Sequence, residues 1–213
     1  MTARLDERAE SFLLAMRERF ACKLYDGKRS VPEEIIDYIL ECGRLSPSSF
    51  GIEHWRFFAI TTPNKIASMK EACFDQDAVG TATLVVAIMC RRSAAYDPDG
   101  EFIARRGERF PGGLSVFVDD FRGYYEYLRG EGILDQWARA QCYIPCANMM
   151  TAAKAAGIDS CAIEGFHDGK VVALLDLDPV EWQTGIIVSF GYSAESGVRE
   201  KIRMPKGDII TRV

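Results

Sequence analysis

The sequence predicts an α+β domain in which a mixed sheet is covered by helices. Three observations lead there. At least four segments read as strands, and the helical segments are grouped at the start and in the middle of the chain. Strands and helices do not alternate as regular βαβ units. No G-x-G-x-x-G follows a strand, which disfavours a dinucleotide-binding Rossmann fold. A length of 213 residues suits one domain over 1–213.

The chain starts with a helix, since Phe12, Leu13, Met16 and Phe20 recur at helical spacing among charged residues. "YDGKRS" breaks that pattern. "VPEEIIDYILECGRL" is a second helix, with Pro32 suited to its first turn, Glu33 and Glu34 complementing its dipole, and Ile35, Ile36, Ile39 and Leu40 as its buried stripe. Pro47 ends it. "WRFFAIT" at 55–61 is a strand, and "PNKIASMKEACF" a short helix. "ATLVVAIMC" at 82–90 is a continuous apolar run, hence a strand buried on both faces. Residues 91–118 show weak periodicity and a Pro-Gly-Gly break, and read as an excursion from the core. "DDFRGYYEYLRG" is a short helix. A long helical stretch from Ile133 to Gly157 is rich in Ala and Cys, as close packing on both sides requires. Pro145 should kink or split it, and Gly157 ends it. "DSCAIEGF" (159–166) and "GIIVSFGY" (185–192) are strands separated by a helix over "DGKVVALLDL". The tail "REKIRMPKGDIITRV" is basic, then extended.

Composition excludes several functions. Hydrophobic residues at 48% and charged residues at 27% are ordinary for a globular protein. The net charge of −5 offers no general attraction to nucleic acid or an anionic membrane. No apolar run approaches the roughly 20 residues needed to span a bilayer. The N-terminus "MTARLDERAESF" lacks the apolar stretch of a signal peptide, so the expected location is the cytoplasm. The seven cysteines include no C-x-x-C pair. Cys142 and Cys146 share a helix face, but no histidine or second pair completes a zinc site, so buried reduced thiols are expected and no metal. Only His54 and His167 are present, without a G-x-S-x-G elbow, which argues against a hydrolytic triad.

Three short stretches carry the chemistry. In "RFACKLY" (19–25), Arg19 and Lys23 are four apart and fall side by side at a helix end. "SPSSFGIEHW" (46–55) joins a hydroxyl-rich turn directly to a large aromatic. In "KIRMP" (201–205), Lys201 and Arg203 alternate. Singly, each is weak, and a Lys/Arg pair is usually a solvated face.

Together they resemble the FMN-dependent NAD(P)H nitroreductase and flavin reductase family. The resemblance rests on Arg19, Ala21, Lys23 and Tyr25, on Pro47, Ser48, Ser49 and Gly51 followed by Trp55, on "AIEGF" (162–166), and on Lys201 and Arg203. It covers residues 12–90 and 137–213 and is loose between 91 and 136. It implies a mainly antiparallel sheet of four to five strands, FMN as cofactor, and a homodimer. Arg19, Lys23, Lys201 and Arg203 would hold the FMN phosphate by charge-assisted bonds. Pro47, Ser48, Ser49 and Gly51 would meet the polar edge and ribityl chain of the flavin held by the neighbouring subunit. Ile163, Glu164 and Gly165 would bring backbone N–H groups close to flavin N5. Tyr124 and Tyr125, with Tyr127, would lie over the exposed face where substrate stacks. A variable lid would span about 91–136. Ala21 stands where the family carries a serine, Gly51 where it carries an asparagine, and Glu53-His54 where it carries Gln-Pro. A further family lysine has no equivalent, and Asp75 and Gln76 stand there instead.

The implied activity is transfer of electrons from NAD(P)H to nitroaromatics, quinones or free flavin by a ping-pong scheme. The cofactor carries that chemistry, which accounts for the missing triad. Alternatives are a flavin-binding sensor or storage protein without turnover, an interaction protein with a degenerate site, and dehalogenating or flavin-cleaving chemistry on the same scaffold.

Overall fold

The computed structural model describes residues 6–196 and 200–213. The first five positions of the N-terminal stretch, and Arg199 at the head of the basic tail, lie outside the described residues.

Helix α1 (Glu7–Glu18) is capped by Asp6, whose carboxylate accepts the Ala9 N–H at 2.8 Å. Helix α2 (Glu33–Arg44) follows Pro32, which takes the cap position and not the first turn. After a short 3-10 turn (Ser49–Gly51) come β1 (Trp55–Ile60), α3 (Pro63–Ala72), the single turn α4 (Asp77–Gly80) and β2 (Leu84–Arg91). A second 3-10 turn (Ser93–Tyr96) leads into α5 (Glu101–Gly107) and α6 (Gly113–Gly130). Then come α7 (Leu134–Ala155), β3 (Asp159–Ile163), α8 (Asp168–Leu174), β4 (Trp182–Gly191) and the short α9 (Lys206–Ile209).

The four strands form one sheet in the order β1-β2-β4-β3, and every strand pair is antiparallel. Among the described residues the one parallel pairing is an isolated bridge between Ala21 and Ser160 at the outer edge of β3; Tyr25 bridges Ser193 nearby. The segment after α1 is thereby laid along β3.

Strand β2 explains why helices cover both faces. Leu84, Val86, Ile88 and Cys90 point into one core with α2, α5, α6 and α7. Val85, Ala87 and Met89 point into a second core with α3, α4 and α8. All seven are fully buried, as the continuous apolar run predicts.

Two expectations need correction. Residues 91–118 are no excursion from the core. They fold into a 3-10 turn, the seven-residue α5 and the start of the 18-residue α6, and Tyr96, Ile103 and Phe117 point fully inward from them. Within 91–118 each piece contributes one large buried side chain, and most of the apolar stripe of α6 lies beyond residue 118, which leaves too little repetition for a period to show. Pro145 does not split its helix, which runs unbroken from Leu134 to Ala155. Proline removes one ladder bond, and packing against α1, α2 and three strands offsets that loss. The helix stops as predicted. Gly157 takes φ +79°, its N–H bonds Lys154 O at 3.0 Å, and the Ile158 N–H bonds Ala153 O at 2.8 Å, the paired bonds of a Schellman cap.

Strand β4 meets α7 at unusually short range. The β2–β4 register slips between Ile88 and Met89, leaving Gly185 as an extra residue opposite them. A Cβ on Gly185 would lie 2.5 Å from Cys142 Sγ and 2.8 Å from Ile88 O, so α7 rests directly on this glycine.

Candidate active site

Positive charge gathers where the two ends of the chain meet. Arg19 is the extended residue closing α1, its N–H bonded to Ala15 O at 3.0 Å. The Lys201 ammonium donates to Met16 O, in the last turn of the same helix, at 2.5 Å. Burial, then the charges of Arg19 and Arg203, push the Lys201 ammonium below its usual range. Three cations from residues 19, 201 and 203 therefore share one neighbourhood and repel one another there.

Lys23 lies on the stretch laid against β3. Its N–H donates to a Glu195 carboxylate oxygen, and its ammonium donates to Cys161 Sγ at 3.2 Å. Ala21 bridges Ser160. Tyr25 fixes this stretch from beneath, its buried hydroxyl bonded to Ser189 O and Oγ, each at 3.1 Å. Cys146 of α7 links these groups to the end of β3. Burial raises its thiol to about 12, and it also feels the charges of Arg19 and Glu164.

The turn after β3 is held from two sides. Ile163 is buried. Tyr143 on α7 donates its hydroxyl to Glu164 Oε1 at 2.6 Å. Gln76 donates Nε2 to Gly165 O and to Cys73 O, both at 2.9 Å. A Cβ at Gly165 would lie 3.2 Å from Gln76 Nε2 and 3.2 Å from the Phe74 ring, so glycine allows this approach. No hydrogen bond among the described residues uses the Glu164 or Gly165 N–H, leaving both free to donate.

The serine turn is built separately. Ser48 Oγ accepts the Glu53 N–H at 2.8 Å, and the Ser49 N–H donates to Gln141 Oε1 of α7 at 2.9 Å. Phe50, Gly51 and Glu53 have φ of 53°, 62° and 51°. That left-handed run suits glycine at 51, and asparagine is the other residue type most at ease there. Pro47 is exposed. The Phe50 ring stacks on Tyr124, with centroids 5.6 Å apart, and points edge-on at Phe121. Trp55 and Ile52 beyond the turn are buried in the core.

No hydrogen bond or ion pair among the described residues joins the serine turn to the cations. Gln141 and Cys146 are five residues apart on α7, about 140° around its axis. The serine turn thus sits on a different side of α7 from the cations and Glu164. Of the two tyrosines proposed for substrate, Tyr125 is 8% exposed, packed on Phe121 with the Arg129 guanidinium over its ring, and serves the core. Tyr124 is half-buried between Phe50, Trp137 and Tyr127, and Tyr127 is 57% exposed.

Gln141 and Tyr143 escaped the sequence reading, because a polar residue on a helix with no motif around it looks like any solvated position. Among the described residues no group of His, Cys, Asp and Glu could hold a metal, and all seven cysteines are free. Among the described residues no helix is long and apolar enough to cross a membrane.

Comparison with known proteins agrees with the fold. The structure superposes on a nitroreductase-like protein of Streptococcus mutans with a TM-score of 0.81 at 19% identity, covering 97% of this chain and 99% of the other. It superposes on an Exiguobacterium sibiricum protein, solved as a "putative nitroreductase in complex with FMN", with a TM-score of 0.76 at 21% identity over the whole of both chains. A Staphylococcus epidermidis protein named "Putative NAD(P)H nitroreductase" is 33% identical over 218 residues, covering 97% of this chain and 99% of its own. The Nitroreductase family profile matches residues 16–192. The chain belongs to the nitroreductase family of oxidoreductases.

Proposed function

We propose that the protein is an FMN-dependent oxidoreductase that passes electrons from NAD(P)H to a small acceptor such as a nitroaromatic, a quinone or free flavin. The observation that carries this reading is the convergence of Arg19, Lys201 and Arg203. Repelling cations are stabilised by a dianion, and an FMN phosphate supplies two charges and three acceptor oxygens. The E. sibiricum structure holds FMN on the same fold.

The bound flavin would supply reversible acceptance of a hydride. The chain would supply the rest. Arg19, Lys23, Lys201 and Arg203 anchor the phosphate. The Glu164 and Gly165 N–H groups, held by Tyr143 and Gln76, present donors to the ring edge. Tyr124 and Tyr127 offer an aromatic surface to a planar substrate. One pocket would serve both substrates in turn, so initial-rate lines against NADH at several acceptor levels should be parallel.

The working unit in this reading is a homodimer. The serine turn lies on a different side of α7 from its own chain's cations and would complete the partner's site. An apolar groove of about 490 Å³ between α1, α2 and α7 exposes Phe12 at 63% and Leu45 at 66%, surface that a second copy would cover. The open edge of β1 would pair with the partner's tail.

The test is the absorption spectrum of the purified protein, followed by anaerobic titration with NADH and NADPH. A flavin spectrum bleached by either nucleotide is expected. A colourless protein that takes up no added FMN overturns the assignment, and FMN that no nicotinamide bleaches would make this a binding module.

A further inference from the structure

A second concentration of positive charge lies away from the cations at residues 19, 201 and 203. A cavity of about 610 Å³ opens between the start of β1, the end of β2, α5 and the lead-in to β4. Six arginines line it against two glutamates, in a chain whose net charge is −5. They come from separate segments, so folding has brought together charges that the sequence keeps apart.

Three of the six are committed to structure. Arg91 pairs with Glu181 and covers the Trp182 ring at 4.2 Å. Arg92 pairs with Asp168 at 2.9 Å and donates to Pro179 O at 2.8 Å. Arg109 pairs with Glu53 at 2.9 Å and reaches Gly51 O at 3.4 Å, which ties this wall to the serine turn. The other three are not committed. Arg105 only grazes Glu101, at 4.0 Å, with both side chains exposed. Arg106 has one long contact to Glu53 O, at 3.5 Å, and stands over Phe102 at 5.2 Å. Arg56 lies over Phe58 at 4.9 Å. Among the described residues neither Arg56 nor Arg106 is within salt-bridge distance of a carboxylate. Arg106 is also half-buried beside Arg105 and Arg109, and burial and then Arg109 push its guanidinium below the usual range.

Guanidiniums crowded in a concave site with low-dielectric walls focus a field on its interior. The volume is that of a small-molecule site, usually about 300–1,000 Å³, and exceeds what a lone anion needs. Trp55, Phe102 and Trp182 add apolar ring surface to the walls. Planar guanidiniums grip phosphate oxygens in pairs and stack on flat rings. The one ligand chemistry that uses both features is a phosphate ester carried on an aromatic base.

We propose that this arginine-lined cleft is a nucleotide-phosphate site, separate from the flavin-phosphate cations, with Arg56, Arg105 and Arg106 as its phosphate ligands. The phosphate has two possible sources: the adenosine 2′-phosphate of NADPH, for which the cleft would select, or a free nucleotide acting as a modulator.

The probe is adenosine 2′,5′-bisphosphate, which carries base and phosphates but no nicotinamide. It is titrated calorimetrically into the FMN-loaded protein at low and high salt. One equivalent per chain is expected, weakened by salt. Arg106→Gln and Arg56→Gln should each weaken it about tenfold or more, with FMN content unchanged. Arg56 is exposed, so its variant keeps the test valid if Arg106→Gln fails to fold. Kinetics then identify the source. A KM raised for NADPH and not for NADH assigns the cleft to the reductant. Unchanged KM values, with AMP altering kcat in wild type alone, assign it to a free nucleotide. No binding at millimolar probe, or binding that both variants leave intact, overturns the site. A colourless protein that still binds the probe would defeat the flavin assignment and leave this one standing.

Discussion

The Tyr143 hydroxyl donates to Glu164 Oε1 at 2.6 Å, so α7 directly sets the orientation of the turn that ends β3. Burial, and then this bond, raise the tyrosine to about 12, so it stays protonated and remains the donor across the working pH range. Tyr143→Phe removes the tether and little packing. Stability should fall by less than about 1 kcal/mol, since both groups are exposed. The rate of flavin reduction by NADH should fall by roughly threefold to tenfold, because the turn loses its fixed position. Stopped-flow absorbance separates that step from acceptor turnover. An unchanged reduction rate would show that Gln76 alone holds the turn.

Arg19→Ala and Arg203→Ala should each weaken FMN by about 1.5–3 kcal/mol, the value of a hydrogen bond to a charged group. That corresponds to roughly tenfold to a hundredfold in Kd. Quenching of free FMN fluorescence on titration with protein measures it. Unchanged affinity in both variants would remove the phosphate assignment.

The acid limb of stability should carry a His54 signature. The ring is buried against Trp137, its Nδ1 3.1 Å from the Tyr96 hydroxyl. Burial, and after it the Arg106 charge, lower it to about 3. Unfolded, it titrates near 6.5. Between those values the unfolded chain binds the extra proton, so stability declines as pH falls, by up to about 1.4 kcal/mol per pH unit. His54→Phe keeps a ring beside Trp137 and should flatten that slope. Urea unfolding at steps from about pH 7 to 4 compares the two proteins. Equal slopes would mean that other groups govern acid unfolding.

Phe12→Glu places a charge on the exposed apolar groove between α1, α2 and α7. Sedimentation over a dilution series, read at the flavin absorbance, should show a monomer that has lost its colour. A monomer that retains full FMN would refute a site shared between chains.

The fold was legible where one signal dominated. Strand β2 declared itself through an unbroken apolar run, and the long α7 through its Ala and Cys content and the closing Gly157. The segment 91–118 was not legible, because Tyr96, Ile103 and Phe117 sit on a 3-10 turn, the short α5 and the first turns of α6, and no window within it spans enough of any one. The convergence of Arg19 with Lys201 and Arg203 was legible because the resemblance draws on both ends of the chain. Gln141 and Tyr143 were not, since what matters is their partners, and Ser49 and Glu164 are distant in sequence. The arginine cleft stayed hidden for the same reason: Arg56, Arg91 and Arg105 lie on different elements, and only the sheet order makes them neighbours.

The contact between Gly185 and Cys142 gives α7 a hard stop. A helix seated on side chains can settle by a rotamer change, whereas one seated on main chain has no such give. Cys142 lies between Gln141 and Tyr143, so the tethers to the serine turn and to Glu164 branch from either side of the point of contact. Their heights above the sheet share one reference, and substitutions elsewhere along α7 can alter its outer surface without changing that alignment. A single methyl at position 185 would lift both tethers in the same motion, detuning two remote segments through an atom that touches neither.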